Sequence, residues 1–201
     1  MTDKKFSTRG RPREFDEAAA LQRAILVFRE RGFHGTSIVD LSGGMKLSSG
    51  SIYKAFKDKR GVFVAALDHY LSIRNDKIRI LLREHKSPRE QLQALLQFYI
   101  ESSHLEEGRL GCMVVGTAIE LATHDSEIKL KVGNALDRNE KRLADLIRQG
   151  QEQGEIGADV DASATAQLML ALFQGLRVLG KSRHEAADMT GVVKTAMRLL
   201  D

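Results

Sequence analysis

The sequence has one cysteine, two prolines and no tryptophan among its 201 residues. One cysteine excludes an intrachain disulfide framework, so we expect a reducing, cytoplasmic setting. So few prolines permit long, uninterrupted helices. The first fifteen residues lack the apolar run of a signal peptide, and the sequence shows no apolar stretch that approaches a membrane span. We therefore expect no membrane partner.

Basic residues are concentrated near the amino terminus. Residues 1–60 contain 13 Lys/Arg and 7 Asp/Glu, a net charge of +6, whereas residues 61–201 contain 18 and 20, a net charge of −2. A basic segment of this size attracts polyanions such as DNA. Basic amino-terminal segments also occur in proteins that never meet DNA, so the charge needs support from a motif.

Apolar residues recur at helical spacing along most of the chain, and we find no sustained alternation with a period of two. The pattern predicts an all-α fold of about nine helices, with a small head and a larger body. Asp16, Ser48 and Asp58 are expected N-caps, and Gly32 is expected to end the first helix in the left-handed conformation. The predicted helices span residues 15–32, 36–44, 48–54, 58–84, 88–105, 112–122, 127–153, 161–179 and 184–200.

The segment from Gly32 to Phe63 reads as two short helices separated by a tight turn and followed at once by a third helix. Regularly spaced apolar residues would hold the two short helices at their crossing angle. The second short helix carries hydroxyl groups, an aromatic ring and an ammonium group, which suit the major groove and its phosphate walls. We therefore predict double-stranded DNA as a partner, contacted by Thr36, Ser37, Ser48, Ser49, Ser51, Tyr53, Lys54, Lys57 and Lys59.

At these positions the sequence resembles the TetR/AcrR family of bacterial transcriptional regulators. The match consists of Gly32-Phe33, Thr36-Ser37-Ile38, Asp40-Leu41-Ser42, Leu47-Ser48, Gly50-Ser51-Ile52-Tyr53, Phe56, Asp58-Lys59 and Phe63.

We divide the chain into a flexible basic arm (1–14), a three-helix helix-turn-helix DNA-binding domain (15–60) and an effector-binding and dimerisation domain (61–201). The resemblance implies that this last domain binds a small molecule and that its last two helices form a homodimer. Lys46 departs from the family pattern because it stands where glycine is usual in the turn, and Arg60 stands where glutamate is favoured. A left-handed lysine costs about 1 kcal/mol, so we expect a looser turn.

The arm contains Arg9-Gly10-Arg11-Pro12, which looks like the core of an AT-hook. In that motif, arginines enter the narrow minor groove of A·T-rich DNA. We expect Arg9 or Arg11 to make such a contact. The alternative is a disordered tail that is attracted only to phosphates.

Two residues of an apolar stretch in the body have a structural and a functional interpretation. Cys112 is either a small buried hydrophobe or a sensor of redox state or electrophiles. Glu120 is either the partner of an arginine from a neighbouring helix or a polar group that orients an effector. The histidines are scattered singly, so we expect no metal site, and we expect no cofactor beyond a small-molecule effector of unknown identity. The candidate effector-binding residues are Phe98, Tyr99, Cys112, Met113, Glu120, Met169 and Phe173.

The predicted helix 161–179 is apolar on more than one face. A helix of a small domain needs one buried face, and a second apolar face implies a partner. We therefore expect a homodimer whose interface includes Met169, Leu172, Phe173, Leu176, Val193 and Met197.

These features together predict a ligand-responsive, sequence-specific DNA-binding regulator that is not an enzyme. We expect a repressor that a small-molecule effector releases from a palindromic operator. One alternative is a regulator that senses redox state or an electrophile through Cys112. The other is a nucleoid-type structural protein that binds DNA without sequence preference.

Overall fold

The computed structural model describes residues 15–182 and 189–201. All regular structure in these two ranges is helical, which confirms the predicted all-α class. It consists of ten α-helices and a terminal 3-10 turn: α1 Glu17–Arg31, α2 Ile38–Met45, α3 Ser49–Phe56, α4 Lys59–Arg83, α5 Pro88–Glu101, α6 Leu105–Leu110, α7 Met113–Glu120, α8 Ser126–Glu152, α9 Ala162–Ser182, α10 Met189–Met197 and the 3-10 turn Arg198–Leu200.

Polar side chains begin the helices of the head, which comprises α1 to α3 and the start of α4. Asp16 and Asp58 each accept a hydrogen bond from the amide three residues ahead, at 3.1 and 2.7 Å. Ser48 does the same for α3. Ser37 and Asp40 form a reciprocal capping box at the start of α2. The predicted caps Asp16, Ser48 and Asp58 are confirmed.

Gly32 ends α1, as predicted, but not in the left-handed helical conformation. Its φ is 72° and its ψ is 177°, a region that glycine alone adopts without strain. A β-carbon at this position would lie 2.9 Å from a carboxylate oxygen of Glu120. Glycine is therefore required twice here, by the backbone conformation and by the approach of α7.

The predicted helix 88–105 was wrong at its end, because α5 stops at Glu101 and a separate helix, α6, follows. The Ser103 hydroxyl donates to the Tyr99 carbonyl at 2.7 Å, where the chain leaves the helix. Gly108 lies inside α6, and it packs with Gly180 of α9 on the Ser103 carbonyl. A β-carbon on either glycine would approach that oxygen to within 2.3 Å.

Two hydrophobic clusters fill the molecule. The first lies among α1 to α4 and extends into the body through Met113 of α7 and Ile128 of α8. In it the rings of Phe28 and Phe63 meet edge to face, with centroids 4.9 Å apart. The second cluster lies among the end of α4, α5, α8, α9 and α10. Residue 60 is the predicted end of the DNA-binding domain. The hydrophobic core of that domain continues past this boundary into the body.

Candidate nucleic-acid interface and body cavity

The exposed face of α3 is basic and aromatic. Tyr53, Lys54 and Lys57 all point away from the protein, and the Tyr53 side chain is 51% exposed. Ile52 and Phe56 lie behind them in the core. Residues 41–57 contain no Asp or Glu, so this face has a uniformly positive or neutral character.

The serine hydroxyl groups of α3 and its N-cap are less exposed for contact with DNA than we expected from the sequence. Ser48 is exposed, but its oxygen accepts the Ser51 amide and lies 2.9 Å from the Ser51 hydroxyl. Ser49 and Ser51 are only half-exposed. Gly50 is exposed, and a β-carbon there would meet only the Ser48 hydroxyl, at 3.9 Å. A neighbouring element of this chain therefore does not require glycine at position 50.

The turn between α2 and α3 is tight, contrary to our expectation of a looser one. Lys46 adopts φ 57° and ψ 44°, the left-handed conformation. The Ser42 hydroxyl donates to the Leu47 carbonyl at 2.5 Å and closes the turn. The chain therefore accepts a strain of about 1 kcal/mol at Lys46.

Three of the residues predicted to contact DNA form side-chain hydrogen bonds within the protein. Thr36 is buried, and its hydroxyl donates to the Gly32 carbonyl at 2.6 Å. Lys59 donates to the carbonyls of Phe33 and Thr36 at 2.9 and 2.8 Å. The Ser37 hydroxyl donates to Asp40 at 2.6 Å. Thr36 and Lys59 are thus corrected to residues that hold the loop between α1 and α2. Ser37 caps α2 but is exposed, so its contact with DNA stays a prediction.

Arg60, the departure from the family pattern, joins the head to α8. Its guanidinium donates to Asp125 at 2.7 and 3.0 Å and to Glu127 at 2.7 Å. The Arg60 side chain lowers the pKa of Asp125 to about 2, and the Ile128 amide adds to this effect. This contact could not be predicted from local spacing, because the partners are more than sixty residues apart.

Glu120 binds the loop of the head rather than an arginine or a cavity. Its carboxylate accepts the Phe33 amide at 2.9 Å and the His34 amide at 2.6 Å. Both earlier interpretations of Glu120 were therefore wrong. The side chain joins the end of α7 to the segment that leads into α2.

A third junction joins α1 to α6 and α9. Arg29 of α1 donates to the Gly111 carbonyl at 2.9 Å and to both oxygens of Glu107 at 2.9 and 3.1 Å. Arg177 of α9 donates to the same carbonyl at 2.8 Å and lies 3.7 Å from Glu107. Lys181 donates to the Arg29 carbonyl at 3.0 Å. The Glu107 carboxylate thus lies within 4 Å of two buried guanidinium groups, those of Arg29 and Arg177.

The body contains a cavity of about 40 Å³ between α4, α5, α8 and α9. Of the predicted effector-binding residues, Tyr99 and Cys112 line it. The Tyr70 hydroxyl also lies in its wall, 3.7 Å from the Cys112 sulfur. Burial raises the pKa of Tyr70 well above its ordinary value, and the nearby thiol adds to this.

The other predicted effector-binding residues do not line this cavity. Met113 belongs to the core shared with the head, and Met169 and Phe173 belong to the core of the body. Phe173 stacks on Tyr99, with ring centroids 4.3 Å apart. Phe98 lines a separate surface groove. We therefore remove these four residues from the cavity.

The outward face of α9 differs from the one predicted. Met169 and Phe173 are buried in the core of their own subunit, as are Val193 and Met197, whereas Leu172 and Leu176 are half-buried. Four of the six predicted interface residues are thus corrected to core residues. The exposed stripe of α9 is formed by Ala164, Leu168, Ala171, Gly175, Val178 and Leu179.

Among the described residues, α9 is long and apolar enough to cross a membrane by length and composition, contrary to our expectation from the sequence. Its Arg177 is nevertheless held by Gly111 and Glu107, and its buried face packs on α8 and α6. We therefore assign the exposed stripe of α9 to protein contacts.

Arg9, Arg11 and residues 184–188 of the last predicted helix lie outside the described residues. The proposed minor-groove contact therefore stays a prediction.

Known proteins resemble this chain in both sequence and structure. Residues 20–66 match the bacterial regulatory proteins of the tetR family, and residues 88–196 match the tetracyclin repressor-like C-terminal domain. The HTH-type transcriptional regulator YezE of Bacillus subtilis (strain 168) is 30% identical over 96% of this chain and 100% of its own. The HTH-type transcriptional repressor ComR of Escherichia coli (strain K12) is 25% identical over 96% of this chain and 92% of its own.

A solved structure shares the fold over nearly its whole length. It is a cysteine variant of the TetR family transcriptional regulator CifR in complex with a 26-base-pair operator DNA. It superposes with a TM-score of 0.83 and 31% identity, and the alignment covers 96% of this chain and 100% of that one.

Proposed function

Because the chain belongs to the tetR family of bacterial regulatory proteins, we propose that it is a homodimeric transcriptional repressor. In this proposal it acts in the cytoplasm, binds a palindromic operator and leaves it when a small molecule occupies the body. The observation that carries the proposal is the exposed face of α3, where Tyr53, Lys54 and Lys57 lie together without an acidic neighbour on the helix. The operator complex of CifR supports the same use of this domain.

The exposed stripe of α9 supports a dimer. Leu168 is 53% exposed and Leu179 is 46% exposed, although both are large and apolar. Ala171 and Gly175 lie between them on the same face, and their small side chains permit a second helix to approach closely. A twofold axis would place two α3 helices in successive major grooves, about 34 Å apart.

Selection of binding sites from random DNA tests this proposal. We expect an inverted repeat whose half-sites are spaced by one helical turn or a multiple of it. Tyr53→Ala in a folded dimer should lose affinity for the selected site. Recovery of sites without a shared sequence would instead support the nucleoid-type alternative.

Modification of Cys112 is a second candidate trigger for release. The sulfur lines the cavity and touches the Tyr70 hydroxyl, so an adduct there would crowd α4 and α7. The CifR complex was also obtained with a protein whose cysteines were replaced. Treatment with iodoacetamide should release wild-type protein from the operator and leave Cys112→Ser bound. Equal release of both proteins would contradict this trigger.

A further inference from the structure

Three arginines without a carboxylate partner surround the body cavity. Arg74 of α4 and Arg138 of α8 line it, and Arg142 lies one turn further along α8. In the described part of the chain, none of the three forms an ion pair with Asp or Glu. Six arginines elsewhere on the surface do form such pairs, whereas Arg23, Arg83 and Arg198 form none among the described residues; the six are Arg31, Arg60, Arg79, Arg89, Arg109 and Arg148.

The Arg74 guanidinium is held in a fixed position by neutral groups. It lies 4.3 Å from the centre of the Phe98 ring and 5.5 Å from that of Tyr99. One nitrogen donates to the Ser102 hydroxyl at 3.0 Å. A guanidinium has five N–H donors, and the contacts of Arg74 with the Ser102 and Tyr99 hydroxyls occupy only part of them. The group is therefore preorganised for an acceptor that the protein itself does not supply.

Arg142 is held in a similar way, by two amide oxygens. It donates to Asn75 at 2.7 Å and to Asn139 at 2.8 Å, and both asparagines line the cavity. Burial lowers the pKa of Arg142, and the nearby charge of Arg138 lowers it further. Because partly buried cations are costly without an anion, this wall of the cavity favours a negatively charged ligand.

Apart from Cys112 and Gln174, the rest of the lining is apolar or aromatic, with Tyr70, Ile78, Tyr99 and Leu136 facing the same space. This surface suits a hydrocarbon or an aromatic ring rather than a sugar or an inorganic ion. The cavity of about 40 Å³ has room for little more than a water molecule. A ligand must therefore separate the helices around it, so binding stabilises a different arrangement of α4 and α8.

We infer that the effector is a small apolar carboxylic acid whose carboxylate binds Arg74 and Arg138, with Arg142 adding to the positive potential. Planar guanidinium groups pair with carboxylates through two parallel hydrogen bonds, which fixes the orientation of the ligand. The apolar part of the acid then lies against Tyr99 and Leu136. This inference rests on the proposed function, because it names the chemical class of the proposed effector.

Matched acids and amides test the inference. Benzoate, phenylacetate, hexanoate and octanoate are compared with the corresponding amides, which keep the apolar part and lose the charge. Thermal unfolding in the absence of DNA reports binding, and fluorescence anisotropy of a labelled operator reports release. We expect at least one acid to raise the unfolding temperature and release the operator, and its amide to do neither.

Two variants and a control locate the charge that is recognised. Arg138→Gln changes an exposed side chain on α8, so the fold should persist, and we expect affinity for the acid to fall about tenfold or more. Arg74→Gln should have the same effect. Arg148→Gln removes a charge from the same helix as Arg138, where it pairs with Asp145 outside the cavity, and should leave acid binding unchanged.

The outcomes distinguish this inference from the proposed function. If the protein binds its operator and none of the acids acts better than its amide, the inference is overturned and the repressor proposal stands. If an acid binds in the unfolding assay but no operator can be selected, the proposed function fails instead. Equal loss of acid binding in Arg138→Gln and Arg148→Gln would also overturn the inference, as would inorganic phosphate acting as well as the acids.

Discussion

The ammonium of Lys59 lies 4.3 Å from the centre of the Phe33 ring and donates to the Phe33 carbonyl at 2.9 Å. This contact fixes the start of α4 against the loop that follows α1. It also directs the Lys59 ammonium towards carbonyls of the protein, unlike the exposed side chain of Lys54 on α3.

Replacing Lys54 and replacing Lys59 should therefore have different effects. Lys54→Ala should lower the slope of log affinity against log salt by about one unit and leave thermal stability unchanged. Lys59→Ala should lower the free energy of unfolding by about 1–3 kcal/mol, because two carbonyls lose a charged donor. Anisotropy titrations at several salt concentrations and circular dichroism melts give the two quantities. A Lys59→Ala protein with unchanged stability and a reduced salt slope would return Lys59 to the DNA contacts.

Deletion of residues 1–13 tests the arm. Affinity should fall most for operators with A·T-rich flanks, because a narrow minor groove concentrates negative potential on inserted arginines. Replacing both Arg9 and Arg11 by glutamine in the full chain should reproduce most of the effect. An equal loss on G·C-rich flanks would show that the arm is only a phosphate tether.

Leu168→Glu tests the dimer. The substitution places a charge at an exposed apolar position of α9, and twofold symmetry doubles its effect. If each copy loses about 2 kcal/mol of association free energy, the dissociation constant of the dimer rises roughly a thousandfold. Sedimentation should show folded monomers that bind a single half-site poorly. Gln149→Glu on the exposed face of α8 is the control and should stay dimeric.

Phe173→Arg is a poor test of the same interface. The Phe173 side chain is only 1% exposed and stacks on Tyr99, so the arginine would disrupt the subunit itself. We expect this variant to unfold rather than to form soluble monomers.

The pKa of Asp125 tests the link between the head and α8. Its folded value of about 2 is below the ordinary 3.8, so the ionised form is favoured by folding. The stability that it contributes is present above about pH 4 and is lost as the pH falls towards 2. Arg60→Gln should raise this pKa towards the ordinary value in an NMR titration of the side-chain carboxyl group. Arg148→Gln should leave it unchanged.

The sequence predicted the features that depend on local spacing. The helix-turn-helix and the caps at Asp16, Ser48 and Asp58 follow from residues within a few positions of one another. The destinations of Lys59 and Arg60 could not be predicted in this way, because their partners lie 23 to 67 residues away.

The exposed face of α9 was predicted wrongly for a related reason. Both of its faces are apolar, so periodicity alone could not show which one is buried. A signal was available in Arg177, which lies one turn after Phe173 and on the same side of the helix. That side proved to face the core and the junction with α1.

The attachment of the head has a mechanical consequence. Among the described residues, polar contacts fix the head at three places to four helices of the body: through Arg29 to α6 and α9, through Glu120 to α7, and through Arg60 to α8. A rigid object fastened to several supports must turn whenever one support moves relative to the others. A ligand that separates α4 from α8 would thus rotate α3 in each subunit, and a small change at the cavity would become a larger change in the distance between the two reading helices.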